Sequence, residues 1–455
     1  MSLFHDKRSA VLMTEGDPRK VILTFAAPVF LSQLFQQLYN TADAWIVSQY
    51  LGDSAFAAVS SSGSLIFLMI SFFVGASMGA GVVISRYFGA GDPDRVSRTV
   101  HTNVVLSFLC GLFMTVFGVI MTPTLLRWIH VDEAILPLST VYFRYYFSGA
   151  LAMIMYNSLK GIMNAVGDSR RPLYFLIFSS LLNIFLDWLF VGAMGLGIEW
   201  AAIATAMSQG ASALLCLRQL TRKGTVYRLS FRKLKISGDI LKEILRYGLP
   251  TAVQNSVIAF ANLLVQSNVN TFGEVGMASW GAYSKIEGFA FLPITSFSMA
   301  LSTFIGQNLG AGEHERAKRG ARFGLITSLL LAELIGLLIY LFAGPFIRFF
   351  LSGEESVRWG IEHCRTVSLF YFLLAYSNCI AGVLRGAGKA FVSMIVMLAI
   401  WCVLRIIYIT VAMQFRHDIV LLYWAYPITW AISSAIYLVY YHVSDWLHSF
   451  EKKPV

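Results

Sequence analysis

Apolar residues in this chain come in long blocks, broken by short polar segments rich in Gly, Pro, Asp, Arg and Lys. Spanning a bilayer takes about 20 mostly apolar residues. Twelve blocks reach that length, near 21–47, 54–84, 99–121, 137–160, 172–191, 197–218, 243–269, 278–305, 322–343, 359–384, 390–413 and 419–442. Lipid satisfies no backbone polar group, so each block is predicted to be a helix. The fold class that follows is an all-α integral membrane protein with twelve transmembrane helices.

Composition supports this reading. Of the 455 residues, 57% are hydrophobic and 13% charged, about half the usual charged share. That is too little charge to coat a soluble protein and too much apolar surface for disorder. The net charge is +10. In a soluble protein this excess would suggest nucleic acid, but no folded basic domain is visible and no nucleic-acid partner is expected. Basic residues instead report orientation. With the N-terminus inside, 27 of the 35 Lys and Arg fall on inside segments and only Arg127, Arg348, Arg358 and Arg416 on outside loops. The expectation is a multi-pass protein of the cytoplasmic (inner) membrane with both termini cytoplasmic. The first 20 residues carry too many charges for a signal peptide. Cys110, Cys216, Cys364, Cys379 and Cys402 lie in apolar stretches without a CxxC pair, so they read as core residues.

The halves repeat. ISRYFGAGDPDRVSR from Ile84 and IGQNLGAGEHERAKR from Ile305 align at an offset of 221, and Pro28 aligns with Pro250 at 222. Gly161 and Gly167 pair with Gly382 and Gly388. Six spans per half give two parallel six-helix bundles. The organisation expected is an N-terminal lobe over 1–217, a basic interlobe linker over 218–242 and a C-terminal lobe over 243–455. The GAG loops read as tight turns, since they lack the GxxxxGK[ST] pattern of a phosphate cradle. An ion gradient is then the energy source.

An ionisable residue at membrane depth is costly and is a functional candidate by default. The first span carries Gln33, Gln36, Asn40 and Asp43 on one helical face, and the seventh repeats the stripe with Asn255, Asn262, Gln266 and Asn270. Such stripes suit either a polar cavity or interhelical hydrogen bonding. Asp43 on the first span, Asn183 and Asp187 on the fifth and Thr205 on the sixth fall at similar depths in the outer half of the first lobe. Two carboxylates, an amide and a hydroxyl suit a hard cation such as Na⁺. The same two carboxylates also suit a shared proton, or stand as separate helix-end acids. In the second half the set is lost, Asp187 aligning with Tyr408 and Asn183 with Arg405. There Glu287 has Lys285, Arg405 or a cationic substrate as candidate partners, while Glu333 stands alone. Pro28 permits a kink four turns before Asp43.

These stretches together resemble the multidrug and toxic compound extrusion family over residues 18–442. The resemblance lies in LYNTADAWIVSQYLG with Asp43, the two GAG(D/E) loops, GIMNAVGDSRRP, NIFLDWLFVGAMGLGIEWAAIAT with Asn183, Asp187 and Thr205, and SKIEGFAFLPITSFSMALSTFIGQNLGAG. The acid pattern of the first lobe is similar to the DNA-damage-inducible-F-like branch. The resemblance implies alternating access between two six-helix bundles and efflux of organic cations and amphiphilic drugs in exchange for Na⁺ or H⁺. It implies a cation site at Asp43, Asn183, Asp187 and Thr205, linked to substrate release by bending near Pro28. Two departures stand out. Asn164 occupies a position where the family often has Arg, which Arg385 keeps in the second half, and the seventh span lacks the acid of a second-lobe ion site.

Substrate contacts are expected from Gln36, Asn40, Asn157 and Glu287 with surrounding Phe and Met, whose adaptability suits promiscuous binding. A monomer is expected, with no cofactor beyond the transported ion. The alternative is a lipid-linked oligosaccharide or lipid-precursor flippase of the same superfamily, which needs a cavity rich in Arg and Lys. No enzyme is expected, because the eight His show no HExxH or other ligand spacing.

Overall fold

A computed structural model describes residues 12–128, 131 and 133–450, and at positions 53, 54, 56, 57 and 60–69 the backbone alone. Lys7, Arg8, Lys452 and Lys453, part of the inside charge excess, lie outside the described residues. No strand occurs among those described.

The twelve spans appear as helices α1 Pro18–Leu51, α2 Asp53–Gly89, α3 Pro93–Trp128, α4 Leu136–Ser148 with Ala150–Ala165, α5 Arg170–Ala193, α6 Ile198–Leu220, α7 Gly238–Asn270, α8 Gly273–Gly310, α9 His314–Leu341, α10 Glu354–Gly386, α11 Ala390–Phe415 and α12 Ile419–Val443. A short helix, Ala343–Phe350, precedes α10. Two expectations change. The fourth span is not one uninterrupted helix but breaks at Gly149, where a Cβ would lie 2.4 Å from the Cβ of Ala206 on α6. Close helix packing therefore demands glycine there, and glycine is a weak helix former. The first span runs to Leu51 instead of stopping near 47, so Asp43 lies roughly 12 Å from the helix end.

The chain forms two compact units, one holding Leu31–Ala252 with Leu12, the other Met13–Phe30 with Val253 onward. The boundary falls inside α1 and α7, two residues after Pro28 and two after Pro250. Without its N–H, each proline leaves the carbonyl four residues earlier without its helical partner. α1 is nevertheless helical throughout.

In a bilayer the apolar effect does not drive helices together, so small residues and polar contacts must. In the first unit Gly79 on α2 meets Gly248 on α7 so closely that a Cβ on Gly79 would lie 2.2 Å from the Gly248 Cα. The segment before α7 is also tied down. Arg98 pairs with Asp239 at 2.5 Å, and Arg95 donates to the Tyr87 hydroxyl, which donates to Glu243 at 2.7 Å. In the second unit the residue at the Arg95 position, Arg316, donates to the carbonyls of Met13, Glu15 and Gly16 ahead of α1. The Met13 N–H in turn donates to Gln307 at 2.9 Å.

The GAG turns are helix caps. The Asp92 N–H donates to the Tyr87 carbonyl and that of Glu313 to Asn308, while Gly91 and Gly312 adopt φ of 68° and 76°. That is the Schellman geometry, which favours glycine at the left-handed position. The five cysteines are free thiols, four of them buried. Glu333 places its carboxyl against the backbone N–H of Phe372, in the first turn after the 3₁₀ break at Ser368–Phe370 in α10.

Candidate functional site

Four helices of the first unit bring polar groups together. α1 supplies Asp43 and, one turn earlier, Tyr39. α5 supplies Asn183 and Asp187, one turn apart on one face and both 0% exposed. α6 supplies Thr205, 6% exposed, and Gln209. α4 supplies Tyr142 and Tyr146, whose rings lie 6.0 Å apart.

The carboxyls of Asp43 and Asp187 approach within hydrogen-bonding reach of one another. Two carboxylates are acceptors only, so this approach is a bond only when one carries a proton. Otherwise a cation must stand between them. Among the described residues no protein donor reaches Asp43 Oδ1 or either carboxyl oxygen of Asp187, and the amide nitrogen and oxygen of Asn183 have no hydrogen-bond partner. Thr205 donates to its own helix, to the Ala201 carbonyl at 3.2 Å, and keeps its oxygen lone pairs. The set is thus oxygen-rich, mostly buried and largely unsatisfied by protein, which fits Na⁺ or a proton. Of the four predicted residues the direct approach joins the two acids. Asn183 shares the Asp187 face, and Thr205 is buried on α6, which packs along α5.

Asp187 is the last residue before a π-helical turn, Trp188–Ala193. Such turns widen the helix and occur often at functional sites. Tyr39 was not anticipated from the sequence. Its hydroxyl accepts from Gln209 Nε2 at 3.3 Å, lies within reach of Gln36, and sits in electrostatic range of both acids. Tyr142 and Tyr146 also lie in electrostatic range of Asp43. The available signals were the i, i+4 step from Tyr39 to Asp43 and the polar stripe Thr205, Ser208, Gln209 and Ser212 on α6.

The four expected substrate contacts are divided between the two units. Gln36, Asn40 and Asn157 belong to the first unit and Glu287 to the second. Gln36 turns toward Tyr39, Asn40 is exposed, and Asn157 donates to its own helix at the Met153 carbonyl, 2.9 Å away. Glu287 makes no ion pair with Lys285 or Arg405 among the described residues. It accepts from the Tyr283 hydroxyl at 2.9 Å, and Tyr283 meets Tyr371 at 3.2 Å. Arg405 donates to Thr429 and lies over the Tyr426 ring, 4.2 Å from its centre. The MatE family model matches residues 28–189 and again 250–411. These two stretches start 222 residues apart, the spacing of the internal repeat.

The chain is 29% identical over 427 residues to a probable multidrug resistance protein, YoeA, of Bacillus subtilis, covering 92% of each chain. It is 27% identical over 395 residues to the probable multidrug resistance protein NorM of Thermotoga maritima, covering 84% of this chain and 83% of that one. Its fold matches a solved MOP superfamily transporter from Pyrococcus furiosus with a TM-score of 0.91 at 24% identity, over 97% of this chain and 99% of that one. With both halves matched by the same family model, the chain belongs to the MatE family of multidrug efflux transporters, membrane proteins that carry substrates rather than transform them.

Proposed function

We propose that the protein is a cation-coupled antiporter that exports organic cations and amphiphilic drugs by alternating access, with its coupling site at Asp43, Asn183, Asp187 and Thr205. The observation that carries this reading is the approach of the half-buried Asp43 carboxyl to the buried Asp187 carboxyl, with Asp43 Oδ1 and both Asp187 oxygens lacking protein donors. A site of that kind binds a proton or Na⁺ and changes its charge on doing so. Binding drives movement only where the two conformations differ in affinity for the ion. The supporting feature is α1, which carries Asp43 and passes from one compact unit to the other just beyond Pro28. Basic segments face the cytoplasm in this reading, and both termini are cytoplasmic. Gln36, Asn40, Asn157 and Glu287 remain the proposed substrate contacts.

The test is transport by purified protein in liposomes loaded with a fluorescent organic cation, under a Na⁺ gradient or a pH gradient imposed separately. Gradient-driven movement that disappears in Asp43→Asn and Asp187→Asn supports the reading. Movement unaffected by both substitutions overturns the coupling site. Absence of movement for every organic cation tested overturns the substrate class.

A further inference from the structure

The segment joining α6 to α7 has no part in the mechanism above, yet it is built with care. Tyr227 and Leu229 are 2% and 1% exposed, within the core of the first unit. The Ser230 N–H donates to His101 Nε2 at 3.0 Å, and the Ser237 N–H donates to Thr102 Oγ1 at 3.1 Å. Both ends of the stretch are therefore pinned to α3. Between the pins the chain projects Phe231-Arg232-Lys233-Leu234-Lys235, with Phe231 61% exposed and Leu234 37%. Residues 228–235 hold four basic side chains and no acid.

A cavity of about 500 Å³ opens where this stretch meets the start of α3. Arg98, Lys233 and Lys235 line it along with Ser97, Ser237, Asp94 and Asp239. Asp239 pairs with Arg98, and the other charged groups of the lining are Lys233, Lys235 and Asp94. That volume is within the range of small-ligand sites.

Height decides what lies beside it. The pin at His101 is seven residues before Phe108, the first of the strongly exposed apolar positions of α3 that continue through Leu109, Leu112, Phe113 and Val116. Seven residues rise roughly 10 Å, about the headgroup layer plus the reach of a Phe side chain. Exposed apolar side chains interleaved with lysines at that height are the pattern of an interfacial anchor. Basic clusters beside a span also attract anionic lipid. We propose that the α6–α7 segment is a lipid-binding element, in which Lys233 and Lys235 hold the phosphate of an anionic phospholipid in the cavity against α3 while Phe231 and Leu234 enter the acyl boundary.

The test follows thermal unfolding of the purified full-length protein in detergent as phosphatidylglycerol, phosphatidylcholine or inorganic phosphate is added. Phosphatidylglycerol is expected to stabilise wild type at lower concentration than phosphatidylcholine, with inorganic phosphate inert. Each basic group near a membrane surface contributes about fivefold in affinity. The double variant Lys233→Gln/Lys235→Gln should therefore need about 25-fold more phosphatidylglycerol. Phe231→Ser should weaken the response to both lipids. Equal response of wild type to the two lipids, an unchanged phosphatidylglycerol response in the double variant, or an equal effect of inorganic phosphate would each overturn the proposal. All three side chains are exposed, so the substitutions remove no buried contact.

Discussion

Asp43 on α1 and Asp187 at the end of the α-helical part of α5 hold their carboxyls within hydrogen-bonding reach, and among the described residues no protein donor reaches Asp43 Oδ1 or either Asp187 oxygen. Groups that share one ion act as a unit, so their removal is not additive. Asp43→Asn and Asp187→Asn should each sharply reduce ion-driven drug movement, and the double variant should be no worse than the worse single one. Initial transport rates of the three variants in liposomes check this. Rates falling as the product of the single effects would mean two independent acids.

Tyr39 links α1 to α6 through Gln209 beside the acid pair. Groups one layer behind an ion's ligands commonly tune affinity by about 10- to 100-fold. Tyr39→Phe should raise the half-saturating concentration of the coupling ion by at least about tenfold, with the maximal transport rate largely kept. Ion titration of transport measures both. A lost maximal rate at unchanged half-saturation would assign Tyr39 to the conformational step instead.

How far the sequence leads is plain from these residues. Apolar block length located the twelve spans, since a backbone in lipid must satisfy its own hydrogen bonds and blocks of about 20 residues do so as helices. The 3.6-residue period placed Asn183 and Asp187 on one face. Tyr39 and Gln209 escaped because a tyrosine and an amide in an apolar helix look the same whether they pack or bind. The break at Gly149 escaped because its cause is Ala206, 57 residues away on another helix. Glu287 was open between three partners, and the geometry gives it a fourth, the Tyr283 hydroxyl. Glu333 had no sequence explanation, since the backbone it faces on α10 is exposed by a local 3₁₀ turn with no strong sequence signature.

Arg316 holds three carbonyls of the segment ahead of α1. Hydrogen bonds to a charged group contribute about 1.5–3 kcal/mol when protected from water, and less here because part of the group is exposed. Arg316→Ala should cost about 2 kcal/mol and lower the Tm by about 2 degrees in a chain of this length. Arg316→Lys should recover little, because one ammonium cannot reproduce the planar fork. Differential scanning fluorimetry and limited proteolysis near residue 16 read this out. An unchanged Tm with unchanged proteolysis would show that the segment is held by other contacts.

Asp168, in the turn between α4 and α5, is buried, which pushes its carboxyl up to about 6 against the opposing pull of Arg171. A carboxyl raised on folding binds more protons folded than unfolded. Its contribution therefore favours the fold below the unfolded value near 4, and this is lost as pH rises through about 6. The turn should be most stable at acid pH, and Asp168→Asn should flatten the Tm profile across that window. Tm measured from pH 4 to 7 tests the sign, and a wild-type profile rising through the window would refute it.

The coupling claim meets its most direct test in ion release. Purified wild type in detergent receives a tightly binding organic cation while proton release and displacement of radioactive Na⁺ are recorded. Wild type should release one of the two ions, and Asp43→Asn and Asp187→Asn should release neither. Equal release from wild type and both variants would contradict an ion held between these acids.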